Sequence, residues 1–235
     1  MTARAAGALG DPAAAAQLFA NLSRERPDDM TLRRRAVIGA IAAGDTKLAL
    51  QLARAIPIAD TPLDARMLIV ADDLRAGREN RAIEILRSRA GVIDASFLAP
   101  FVEAWALADR RNPRAIDALA QITPGSALAN QLNEQRALIY LKLKRPQEAA
   151  PFARIALASA GGRADRLRLA FADGFLAAGD KAGALAQLEG PGPALAEGRA
   201  RIAAGKPTGQ GIDSASDAFA ELMVGMALAL GRVQN

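Results

Sequence analysis

Few residues in this chain could do chemistry, and those that could are scattered. Its 235 residues include no Cys and no His. That removes thiol nucleophiles, disulfides and thiolate metal sites. It also removes the commonest general base and the commonest transition-metal ligand. Asp72-Asp73 supplies two carboxylates of the kind that acid–base catalysis uses, but adjacent residues diverge by about 100° on a helix, so the pair reads as ionised surface acids. Gly205-Lys206-Pro207-Thr208-Gly209 has the residue types of a phosphate loop without the order G-x4-G-K-[ST] or a preceding strand. Arg33-Arg34-Arg35 cannot share one helix face and reads as a solvated helix start. Trp105, the single tryptophan, reads as core rather than as a binding hot spot. The net charge is +5, from 30 basic and 25 acidic residues, but aromatics are only 4% and no reader motif interleaves with the arginines, which argues against nucleic acid. No catalytic, cofactor or metal set converges, so the sequence points away from an enzyme.

The elements that carry these residues are regular. The apolar content of 51% is mostly Ala and Leu, both good helix formers, and no alternating run of β-branched residues marks a strand. In the segment Gly10-Asp11-Pro12-Ala13-Ala14-Ala15, a glycine precedes an alanine by five residues, and Phe19 and Pro27 follow. The Gly-to-Ala spacing recurs at Gly44–Ala49, Gly77–Ala82 and Gly179–Ala184, and Ala115 and Ala149 fill the small slot without the glycine. The alanines at 15, 49, 82, 115, 149 and 184 follow each other at 34, 33, 33, 34 and 35 residues. A period of about 34 is the mark of stacked helix-turn-helix units.

Each unit is expected to be two antiparallel helices, A then B, with the alanine where they cross closely and the glycine as C-cap of helix A. Asp11, Asp45 and Asp180 are expected to cap helix B, and Pro113 and Pro146 to stand just inside its start. The expected pairs are 1–9 with 12–25, 30–43 with 46–56, 62–76 with 79–89, 95–109 with 113–121, 126–143 with 146–159, and 163–178 with 181–188. Gly190-Pro191-Gly192-Pro193 then breaks the rhythm, before short helix 193–203, a glycine-rich loop, and a last helix from Ser214 to about Leu230. Ser214 and Asp217 form a variant capping box for that helix, and Phe219, Leu222, Met223, Met226, Leu228 and Leu230 give it an apolar stripe.

On these residues the chain resembles the tetratricopeptide repeat family over about residues 1–189, with an alanine-rich, arginine-over-lysine style similar to bacterial members. The resemblance implies an all-α, right-handed solenoid of about six helix pairs, with residues 190–235 as a helical extension. The family's aromatic in helix A appears only as Tyr140 and Phe175, with Ala6, Ala40, Asp73 and Ala106 elsewhere. The resemblance further implies a scaffold that binds a peptide or helix of a partner protein in a concave groove lined by the A helices. Placed in the repeat frame, that face carries Arg34, Ile38, Met67, Leu74, Phe97, Leu107, Glu134, Leu138, Leu141, Arg166 and Leu169. Ile38 and Ala71 stand where a carboxylate clamp would need amides, so an apolar anchor surface fits better. A self-association module, or a regulatory repeat domain of a larger protein, is the alternative.

Neither end completes a helix pair, which suggests a piece of a longer repeat protein. No stretch reaches the roughly 18 apolar residues of a membrane span, and Leu222–Leu230 is too short and holds a glycine. The first ten residues lack the apolar core of a signal segment. As written, the expected location is the cytoplasm; a periplasmic or membrane-tethered place is the alternative if a leader precedes the chain.

Overall fold

The structure, a computed structural model, describes residues 11–88, 94–122 and 129–233. The helix expected over 1–9 and the side chain of Leu230 lie outside the described residues. Among those described, every regular element is helical and no strand occurs. Two compact units divide between Ala99 and Pro100.

The first unit holds α1 (Pro12–Glu25), α2 (Met30–Ala42), α3 (Thr46–Arg54), α4 (Leu63–Arg75) and α5 (Glu79–Arg87). The second holds α6 (Ala99–Asp109), α7 (Ala115–Ala120), α8 (Leu132–Lys142), α9 (Pro146–Ser159), α10 (Ala164–Ala177), α11 (Lys181–Gln187), α12 (Pro193–Ala203) and α13 (Ala215–Val233). The boundaries follow from caps. Asp11, Asp45 and Asp180 accept the backbone N–H of Ala14, Leu48 and Gly183, as the sequence implies, and Asp29 does the same for α2 through Leu32. Three starts differ from expectation. Asn112 Oδ1 takes the N–H of Arg114, so Pro113 sits in a turn and α7 begins at Ala115. Ser96–Leu98 and Ala129–Gln131 are single 3-10 turns ahead of α6 and α8.

One turn geometry recurs through the chain. Gly44, Gly77, Arg111, Lys144, Gly179 and Gly205 all have positive φ, between 54° and 88°. Each donates its N–H to the carbonyl three residues back, and the next residue donates to the carbonyl five back, as in Gly77 to Leu74 and Arg78 to Asp73. This pair of bonds closes the orphan carbonyls of a helix end and reverses the chain. At Arg111 and Lys144 the fold imposes a left-handed backbone on a residue with a Cβ.

The reversal lets successive helices pack closely. Ala15, Ala49, Ala82, Ala115, Ala149 and Ala184 are all buried. In the first unit Val37, Ala53, Ile56, Ala65 and Ile69 form one cluster, and Ala16, Ala40 and Ala49 another. In the second, Trp105 is fully buried and donates from its indole N–H to Gln135 Oε1 at 2.9 Å, which fits its reading as core. Tyr140 stacks on Phe152 at 5.7 Å between centroids, with Arg145 over Tyr140 and Arg136 over Phe152.

Ala82→Leu or Ala149→Leu should overpack the helix crossing and cost about 1–3 kcal/mol in urea denaturation. Gly77→Ala should cost about 1–2 kcal/mol, whereas Arg111→Gly should cost nothing, since it relieves the same backbone constraint. Equal effects of the two turn substitutions would contradict the assignment.

Candidate functional site

The face expected to bind a partner is laid out along A helices. In the second unit, Glu134, Leu138 and Leu141 follow each other on α8 at spacings of four and three, and Arg166, Leu169 and Asp173 on α10 at three and four. α8 and α10 approach closely: a Cβ at Gly174 would stand 2.8 Å from Leu141 Cδ1. The face is covered. Glu134, Leu138 and Leu141 are 4%, 3% and 2% exposed, and the chain's own segment from Thr208 onward lies over them and their neighbours. Leu107 and Leu169 are half-buried, and Leu169 presses on α12, where a Cβ at Gly198 would meet its Cδ2 at 2.8 Å.

The covering segment is tied down by polar contacts. Asp173 accepts from the N–H and hydroxyl of Thr208 and from the N–H of Gln210, at 2.5, 2.9 and 2.9 Å. Arg166 donates to the Gln210 carbonyl, and Lys142 to that of Asp213. Thr208, one of the phosphate-loop residue types, is thus bound to a carboxylate. α13 then starts in a capping box as the sequence implies: the Asp217 N–H donates to Ser214 Oγ, and that hydroxyl donates back to Asp217 Oδ2 at 2.7 Å. Asp109, at the end of α6, accepts the Ala215 N–H at 3.1 Å, which places a carboxylate at the positive end of α13.

Glu221 fixes the helix further along. Its carboxylate meets Arg163 at 2.7 Å and Arg166 at 3.1 Å, and Arg163 also reaches Glu134 at 3.0 Å. Burial pushes the Glu134 carboxyl above its ordinary value, against the opposing pull of Arg163. Ala218, Phe219 and Leu222 of α13 are buried, but Leu228, expected on its buried stripe, is 48% exposed together with Val224 at 54%. The correction has a helical cause: Val224 and Leu228 stand about 160° and about 120° around the helix from the buried Leu222.

The first unit presents a different surface. Arg34 is exposed and pairs with Asp60 at 2.6 Å, Ile38 is 47% exposed, and Met67 and Phe97 are half-buried, while Leu74 is buried. Asp72 and Asp73 depart from the expected surface acids. Asp73 is fully buried and takes Arg54 and Arg78 at 2.8 Å and Arg81 at 3.4 Å. Burial alone would raise the Asp72 carboxyl, but hydrogen bonds from Arg75 and Arg54 outweigh it and hold it below its ordinary value. Arg33 donates to the Pro27 and Ala55 carbonyls from the exposed helix start.

Sequence reasoning missed Asp109, Lys142, Arg163 and Glu221 as parts of this site. The signal for Glu221 was present: it shares a helix face with Ala218 and Gly225, where an unpaired charge would be costly. Among the described residues no group of three His, Cys, Asp or Glu could hold a metal, and no helix is long and apolar enough to cross a membrane.

A carboxyl whose folded pKa is raised gives stability that is complete below its unfolded pKa and lost as pH rises through the folded value. Ionised Glu134 therefore costs stability at neutral pH. Glu134→Gln should melt at or above the wild type at pH 7, and its advantage should shrink as pH falls through the raised Glu134 value and be gone below the ordinary glutamate range. A difference in melting temperature that stays constant with pH would contradict this.

No family model, curated protein or solved structure matches the chain.

Proposed function

We propose that this chain is a tetratricopeptide-like scaffold, a right-handed solenoid of antiparallel helix pairs over about residues 1–189, with residues 190–235 as an extension, that binds a peptide or helix of another protein on the face of its A helices. The reading assigns recognition to the chain, without catalysis, cofactor or metal. The periodic turn at Gly44, Gly77, Arg111, Lys144 and Gly179 supports the repeat frame, because each reversal closes with the same two bonds. The observation that carries the binding reading is the chain's own segment on α8 and α10: a stretch of loop followed by a helix, seated by Asp173, Arg166, Arg163 and Asp109. A face that accepts one helix by apolar and charge-assisted contacts has the means to accept a peptide.

In the first unit the equivalent face is exposed at Arg34 and Ile38 and half-buried at Met67. Peptides selected from a displayed library on the full chain should carry apolar residues at helical spacing. Combining Ile38→Glu with Met67→Glu should weaken them at least tenfold, about 1.4 kcal/mol or more, with the melting temperature unchanged. Peptides that bind the double variant as tightly as the wild type would contradict the reading.

Self-association is the second reading, favoured by Val224 and Leu228, which expose apolar surface one helical turn apart on α13. It predicts that molecular mass by light scattering rises with concentration and that Val224→Glu with Leu228→Glu returns it to that of one chain. A constant monomer mass in the wild type excludes it.

A further inference from the structure

We propose that the groove between α1 and α3 binds a small single-chain amphiphile with an anionic head. Its walls are other helices than those that carry Arg34, Ile38 and Met67, so the inference does not rest on the partner-binding reading.

α1 packs on α2 and α2 on α3, and helical spacing turns one face of each outer helix into the space left between them. Gln17, Ala20 and Arg24 stand three and four residues apart on α1; Leu48, Leu52 and Ala55 stand four and three apart on α3 and its cap. The space they border is about 550 Å³, within the range of small-molecule sites. Its floor is apolar. Ala20 is buried, while Leu48 and Leu52 are half-buried, resting on the cluster of Ala16, Ala40 and Ala49 with a side turned to the groove. A floor of three such side chains is far too small for a protein interface.

Charge gathers at one end. Arg24 is in the last turn of α1, Arg33 is in the first turn of α2, and both line the groove. Arg33 donates to the main-chain carbonyls of Pro27 and Ala55, which hold it across the end where α1 and α3 stop. Arg24 donates to the Ala20 carbonyl at 3.4 Å and to Asn21 Oδ1 at 2.6 Å. Each guanidinium has five N–H donors and spends two, so three on each remain for a head group. Neither has an acidic partner among the described residues, and no Asp or Glu lines the groove. Arg33 is half-buried, where a cation without a counter-charge is costly. From Gln17 to Arg24 the face runs seven residues, about 10 Å at roughly 1.5 Å each. Octanoate with its head at the two arginines spans that length over Leu52 and Leu48.

The test titrates the full chain with octanoate, octyl phosphate and octanol, each below its aggregation concentration, and reads backbone amide shifts by NMR. Octanoate and octyl phosphate should saturate one site and shift the amides of 17–24, 33 and 48–55, with affinity falling as salt is raised. The tighter of the two names the head as carboxylate or phosphate. Octanol should bind at least tenfold more weakly. Arg24→Gln, at an exposed position, should weaken both anions at least fivefold and leave octanol unchanged. Arg35→Gln, exposed on α2 and outside the groove, should change neither. The proposal is overturned if neither anion saturates by about 10 mM, or if octanol binds as tightly as octanoate. Shifts confined to another face, or anion affinity unchanged in Arg24→Gln, overturn it as well.

Discussion

The chain reversal at a single left-handed residue is the constraint on which the architecture depends. A helix that ended without it would leave its last carbonyls unpaired, and the next helix would leave in another direction. With it, the N–H groups of two consecutive residues close the helix, and after the turns at Gly44, Gly77, Arg111, Lys144 and Gly179 a buried alanine four or five residues on lets the next helix lie against the first. The backbone demand is strong enough to be met by Arg111 and Lys144 where no glycine is available. Local geometry thus sets which residues lie on each helix face, and the spacing of turns sets how often that face recurs.

Much of this was legible before any coordinates. The capping aspartates, the small-residue slots and the box at Ser214 and Asp217 are local signals, each deciding a few backbone hydrogen bonds, and local signals survive in a sequence. α7 was misread at its start because an asparagine side chain competes for the backbone of the first turn, a contest that a proline motif does not reveal. Asp73 was misread for a longer-range reason. The arginines that neutralise it come from α3 and from the turn and first residues of α5, up to nineteen positions away. Nothing in the pair Asp72-Asp73 itself tells a paired buried acid from a solvated one.

The binding face shows the same limit. Helical spacing places Glu134, Leu138 and Leu141 on one side of α8, but spacing cannot say what lies over them. The cover comes from residues about 70 positions further on, and it is specified by charge as much as by apolar area: Asp109 at the start of α13, Glu221 between two arginines, Asp173 around the Thr208 loop. Buried ion pairs contribute little net stability but penalise wrong registers strongly, since any slip strands a charge. Here they fix where along α8 and α10 the segment comes to rest, while Phe219 and Leu222 of the same helix are buried.

The central claim is that the segment after α12 lies on the face of α8 and α10. The absence of native cysteine makes it directly testable. Lys142→Cys and Asp213→Cys, placed together in the full chain, should be joined by a short bismaleimide within one monomer at a rate independent of protein concentration, because the Lys142 ammonium donates to the Asp213 carbonyl. Cross-links that form only between chains, or none with both thiols reactive, would contradict the account.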